Sequence, residues 1–162
     1  MTTAEVLQAI QQALATDIEF LTWCRATLGA MPTVQIDFDE EKELEADCYP
    51  FIGILAVAHD GAINSPQQSW SVTMLAAVRR AELTAATVAT DLGDDDVVLV
   101  RTRTHPGRLQ AETLREQAIA ALYRGKLGKV AINSDKLDHS YHPKFYSPFI
   151  ATITQQRSPN HG

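Results

Sequence analysis

Five histidines, two cysteines and a surplus of acids are the residues with chemical potential in this chain. His139 and His142 stand three apart in His139-Ser140-Tyr141-His142, with Asp135 and Asp138 just before them. Imidazole and carboxylate are zinc-ligand types, but a structural zinc takes four ligands in a closed set, and a His pair at this spacing shares a face only on a helix. The stretch ends at Pro143 and offers neither, so a solvated loop is expected. The acidic run Asp37, Asp39, Glu40, Glu41, Glu43, Glu45, Asp47 lacks the Asp-x-Asp-x-Asp-Gly order and the turn glycine of a calcium loop. Asp94-Asp95-Asp96 reads as a turn with solvated carboxylates. No Gly-x-Ser-x-Gly elbow, phosphate-binding loop, dinucleotide fingerprint or His-Glu-x-x-His string occurs. Cys24 and Cys48 are too few for a disulfide framework and lack the Cys-x-x-Cys spacing, so reduced thiols are expected. Pairing of the two, or bridging between copies in oxidising surroundings, stays open. Neither an enzymatic reaction nor a cofactor or metal is expected.

The elements that would carry these residues follow from periodicity. Thr2 or Thr3 can cap a first helix in which Val6, Ile10 and Leu14 recur at helical spacing. Thr16 and Asp17 restart the pattern, Ile18, Phe20, Leu21, Cys24 and Leu28 continue it, and Gly29 closes it. Two short helices, or one kinked at Ala15-Thr16, are expected. Val34, Ile36 and Phe38 alternate with Gln35 and Asp37 as a half-buried strand. A second strand is expected over residues 49–57, opened by Pro50, and a third from Trp70 to Arg79 or Arg80. Residues 81–90 divide between helix-favouring Ala, Glu and Leu and strand-favouring Thr and Val. A hairpin of 82–90 against 97–104 across an Asp/Gly turn is one reading. The longest helix follows His105-Pro106-Gly107 and ends near Gly125. A strand over 129–133, a polar stretch over 134–144 and a last strand over 149–155 complete the chain. Tyr49-Pro50-Phe51-Ile52 and Ser147-Pro148-Phe149-Ile150 each open a strand after a helix, a strand and a polar linker, which suggests a repeated α-β-β unit. Phe51 and Phe149 are expected in the core; Tyr49, Trp70 and Tyr146 are divided between core and interface.

Length and composition bound the rest. A chain of 162 residues, 45% hydrophobic and 21% charged, is globular in composition and long enough to bury a real core. One domain over 1–156 is expected, with 157–162 a frayed tail. A net charge of −6 argues against sequence-tolerant nucleic-acid binding, which needs surplus Lys and Arg to displace counterions. No stretch approaches the ~20 apolar residues of a membrane helix, and Met1-Thr2-Thr3-Ala4-Glu5 does not open a signal peptide.

The order of pieces is informative: a glycine-terminated N-terminal helix, a short strand with an acidic linker, the Pro-Phe-Ile strand, the alternating strand Trp70-Ser71-Val72-Thr73-Met74, a Leu/Ala-rich helix, and an aromatic-Pro-Phe segment opening the last strand. Over the whole chain this order resembles the tail terminator, or tail completion, proteins of tailed bacteriophages, the family that includes the minor tail protein U of lambda-like phages. The resemblance implies an α/β fold of the α+β type, a mixed, mostly antiparallel sheet flanked by an N-terminal helical segment and a central helix. It implies a homo-oligomeric ring, usually hexameric, that caps the tail tube, stops its polymerisation and meets the head or neck. The implied partners are the tail tube protein and, at the same junction, sheath and neck proteins; genome DNA passes through unbound. The implied location is the virion, with assembly in the host cytoplasm, and no cofactor or reaction is implied. The segment 81–106 is longer than a plain strand-to-helix connection needs, and departs from the pattern.

Site expectations follow from that role. A ring needs head-to-tail contacts that close by rotation, which an exposed strand edge or hairpin supplies. Trp70, Arg79, Arg80, Arg101, Arg103 and Tyr146 are expected at a subunit or tube interface. Glu40, Glu41, Glu43, Asp94, Asp95 and Asp96 are expected at the channel or its rims, where like charge repels phosphate. Three other readings compete: another head–tail connector or neck protein, a small enzyme with its site near His139 and His142, and a monomeric adaptor.

Overall fold

A computed structural model describes residues 1–38, 44–62, 65–133 and 142–156. The helices begin where the sequence supplies caps. In α1 (Thr3–Thr16) Thr2 and Glu5 form a reciprocal capping box, with the Thr2 amide donating to Glu5 Oε2 at 2.6 Å and the Glu5 amide to Thr2 Oγ1 at 3.2 Å. Asp17 separates α1 from α2 (Ile18–Trp23) and caps the second helix by accepting from the Phe20 amide at 2.9 Å. A π-turn over Cys24–Leu28 runs on to Gly29, whose φ of 75° ends the helical path. The two-helix reading of the N-terminus is therefore the one realised.

The strands β1 (Thr33–Ile36), β2 (Phe51–Asp60), β3 (Gln67–Arg79), β6 (Lys129–Asn133) and β7 (Lys144–Gln156) form one sheet in the order β1-β2-β3-β7-β6. Only β1–β2 is parallel; the other pairings are antiparallel. The fold is α+β, with this mixed sheet carrying the N-terminal helices and the long helix α3 (Pro106–Arg124). Val6, Ile10 and Leu14 of α1 and Ala111, Leu114, Ala118, Ala121 and Leu122 of α3 pack on the sheet face made by Ile52, Ile54, Trp70, Val72, Met74, Phe149, Ala151 and Ile153. Gly107, in the first turn of α3, lets the helix approach β7 closely, since a Cβ there would lie 2.6 Å from the Phe145 ring. Glu112 fixes the same contact, accepting from Arg108 at 2.7 Å and from the buried Ser147 hydroxyl at 3.0 Å. No helix among the described residues is long and apolar enough to cross a membrane.

Among the described residues the opposite sheet face is covered only in part. Asp37 takes a left-handed φ of 66°, ends β1 and turns the chain over the sheet. Phe38 therefore leaves the alternation of Val34 and Ile36 and packs on Phe51, ring centroids 4.8 Å apart, with Leu75 and Ala77. Beyond that cluster the face is made by the half-buried Ser69, Ser71, Thr73 and Thr152.

Several expectations need correction. The paired-unit echo is not a structural repeat: Pro50 precedes β2, whereas Pro148 lies inside β7 opposite Leu75, and β1–β2 is parallel where β6–β7 is antiparallel. Among the described residues β6 pairs with residues 150–154 of β7 and no ladder on that side reaches Pro148, so the amide that proline lacks is not called on there. Accordingly β7 starts at Lys144 rather than at Phe149. The expected tail at 157–162 lies outside the described residues.

Candidate functional site, a freestanding arm

Between β3 and α3 the chain leaves the body. β4 (Thr84–Asp91) and β5 (Val97–Thr104) pair with each other in antiparallel register from Thr84↔Thr104 to Asp91↔Val97, and form a sheet of their own. Every residue of β4 is exposed, and in β5 all but Val98. Such a two-stranded ribbon is marginal in water unless something covers it.

The sequence folds into this ribbon because β-branched residues pair across it and the tip is a built turn. Val88 faces Val100 and Thr90 faces Val98. At the tip the Leu92 amide donates to the Asp96 carbonyl, and the Gly93 amide to Asp91 Oδ1 at 2.8 Å. Asp94 and Asp95 take left-handed φ values of 52° and 61°, which Asp tolerates better than most residues. At the root, a His142 Nε2–H donates to the Ala81 carbonyl at 2.9 Å and a His105 Nδ1–H to that of Glu82 at 3.3 Å. The two imidazoles lie 4.7 Å apart and rest on Phe145. Arg80 pairs with Glu82, and its amide donates to the Pro143 carbonyl at 2.7 Å.

Register sorts the side chains onto two faces. One is uncharged: Thr84, Ala86, Val88 and Thr90 with Thr104, Thr102, Val100 and Val98. The other carries Arg103 opposite Ala85, Arg101 opposite Thr87, Leu99 opposite Ala89 and Val97 opposite Asp91. Leu99 is 72% exposed. Neither arginine has an ion-pair partner among the described residues.

The expected site residues thus divide. Arg101 and Arg103 sit on one face of the arm, and Asp94, Asp95 and Asp96 at its exposed tip. Arg79, exposed, and Arg80 stand at its root. Tyr146 is half-buried against the second cluster, where burial and the neighbouring Tyr146 ring push the Tyr49 hydroxyl's pKa up. Trp70 is a correction: it is 1% exposed, its Nε1–H donates to Thr3 Oγ1 at 3.1 Å, and it presents no surface to a neighbour. Alternation placed it on one sheet face, and the helices cover that face. Glu40, Glu41 and Glu43 lie outside the described residues, as do Asp135, Asp138 and His139. Among the described residues no three His, Cys, Asp or Glu side chains gather as metal ligands. Both cysteines are free; burial pushes the Cys24 thiol up to about 12. Reading by single residues missed the exposed aliphatics Val88, in the segment divided between helix and strand, and Leu99 and Val100, in the second half of the hairpin reading.

Comparison with family models and with curated proteins found no match to this chain.

Proposed function

We propose that this protein is a structural virion protein, a tail-terminator-like subunit. It assembles in the host cytoplasm, closes with identical copies into a ring, usually a hexamer in this class, and caps the tail tube at its junction with the neck. The observation that carries this reading is the arm: a β-ribbon exposed on both faces that, among the described residues, has unpaired edges and meets the body at its root alone. An edge of this kind invites strand addition by another chain. Because the arm and the body surface it meets are different patches of one chain, the contact is head-to-tail, the type that generates rings. The uncharged face, with Val88 and Val100 at its middle, suits that contact. The surplus of acid and the aspartates at the tip suit a passage through which DNA moves without being gripped.

The test is size and shape. Light scattering and negative-stain imaging of the purified chain, alone and with tail tubes, should give an annulus, and tubes with a ring at one end. A monomer at every concentration, with tubes that go on growing in its presence, refutes the reading.

A further inference from the structure

We propose that the charged face of the arm pairs with the same face of the arm of a second copy, about a two-fold axis through Leu99. The proposal rests on the self-associating role given above and goes beyond it, because a two-fold contact closes a pair and cannot propagate round a ring.

Charge is ordered along the arm. From root to tip this face reads Arg103, Arg101, Leu99, then Val97 beside Asp91, and the turn adds Asp94, Asp95 and Asp96. The root is basic, the tip acidic and the middle apolar. Leu99 is the midpoint of this sequence. Two residues beyond it is Arg101, and two before it is Val97, whose cross-strand partner is Asp91. Four beyond is Arg103, and four before is Asp95. Laid antiparallel on a copy of itself, the face sets Leu99 against Leu99, Arg101 against Asp91, and Arg103 against the acidic turn, twice over. The parallel arrangement sets like charge on like. Complementary sign of this kind fixes register and orientation. The same pairing covers Leu99 and Val97, exposed at 72% and 59% in the single chain.

Size sets the strength. Strands of eight residues at ~3.3 Å rise, two abreast at ~4.8 Å, give a face of roughly 250 Å². That is below the ~800 Å² per partner of a standard complex. Arms alone therefore pair weakly, and rings whose arms engage together pair far better through multivalency. The expected assemblies are a weak dimer of single chains and a face-to-face double ring. The uncharged face stays free for the head-to-tail contact.

Charge-swapped chains test this. One variant, Arg101→Glu with Arg103→Glu, makes the arm acidic throughout. A second, Asp91→Asn, Asp94→Asn, Asp95→Asn and Asp96→Arg, strips the acid from the tip, keeps an Oδ1 at position 91 to accept from the Gly93 amide, and keeps side chains that tolerate the left-handed turn. Circular dichroism and tryptophan fluorescence check that both bodies fold, and sedimentation velocity at low and high salt reads the assembly. Each variant alone should lose two-fold pairing by roughly tenfold or more, as expected of several exposed ion pairs removed or turned repulsive. An equimolar mixture should regain it, because the acidic root of one variant then meets a tip without acid and the basic root of the other meets an acidic tip, and salt should dissolve it. Docking of the arm on an unaltered body surface gives no such recovery. Folded variants that pair like the unaltered chain, or a mixture that fails to recover, overturn the proposal. Rings that form but never double refute the pairing alone, whereas absence of rings refutes the tail-terminator reading.

Discussion

Removing the arm should leave the body standing. The perturbation replaces the segment Thr84–Thr104 by Gly-Gly, joining two points that the Thr84↔Thr104 pair already holds side by side. The arm buries almost no side chain against the body, so its loss forfeits almost no apolar burial at ~25 cal/mol per Å². Shortening the connection lowers closure entropy by about 2 kcal/mol at most, if the arm counts as loop. The root contacts of Arg80, Glu82, His105 and His142 stay outside the deletion. Unfolding free energy should therefore lie between unchanged and about 2 kcal/mol higher. Urea titration followed by the fluorescence of Trp23 and Trp70, both in the body, measures it, and light scattering on the same sample should show a monomer. A deletion that unfolds the body refutes the freestanding arm; one that leaves rings intact refutes its role in assembly.

Two other sites give sharp expectations. Asp17 caps α2 and ties it to the end of α3, accepting from Arg124 at 2.7 and 2.9 Å. Asp17→Ala should cost about 1–2 kcal/mol for the cap, with a coupling to Arg124→Ala of roughly 0.2–1 kcal/mol in a double-mutant cycle. Chiefly through Arg124, and further through the Phe20 amide, the Asp17 carboxyl is held below the ordinary carboxylate value. A lowered folded value means that its stabilisation is present above the unfolded value, near pH 4, and fades as pH falls through the folded one. The difference between the unaltered chain and Asp17→Asn should therefore shrink below about pH 4 in acid titrations. Gly107→Ala sets a methyl 2.6 Å from the Phe145 ring and 3.1 Å from Arg80 Cβ. It should cost about 1–3 kcal/mol in urea unfolding, and Phe145→Leu should recover part of that loss.

Much of the body was legible because burial imposes a period. Lys129–Asn133 alternates between half-covered and exposed positions and reads as a strand at once. Val6, Ile10 and Leu14 repeat because one side of α1 is sealed. Legibility fell where that coupling breaks. The arm has no buried side, so its alternation carries no hydrophobic contrast, and alanines favouring helix stand beside threonines favouring strand. Phe38 continued the strand period of Val34 and Ile36, while the left-handed backbone at Asp37 sent it to the other side of the sheet. Pro148 hid the first third of β7, since its innocence depends on how far β6 extends. Within the arm, composition was readable but the pairing was not: the segregation of Arg101 and Arg103 from Val88 and Val100 appears only once the register is known.

The arm springs from the middle strand of the five and returns into the longest helix. Any pull on its tip is thus delivered to β3, which is paired along its whole length to β7 on one side and over most of it to β2 on the other. Tension along such a strand must shear two ladders together instead of unzipping an edge bond by bond. A subunit gripped by its arm would hold its shape under traction, while the outermost strands, β1 and β6, bear none of the pull directly.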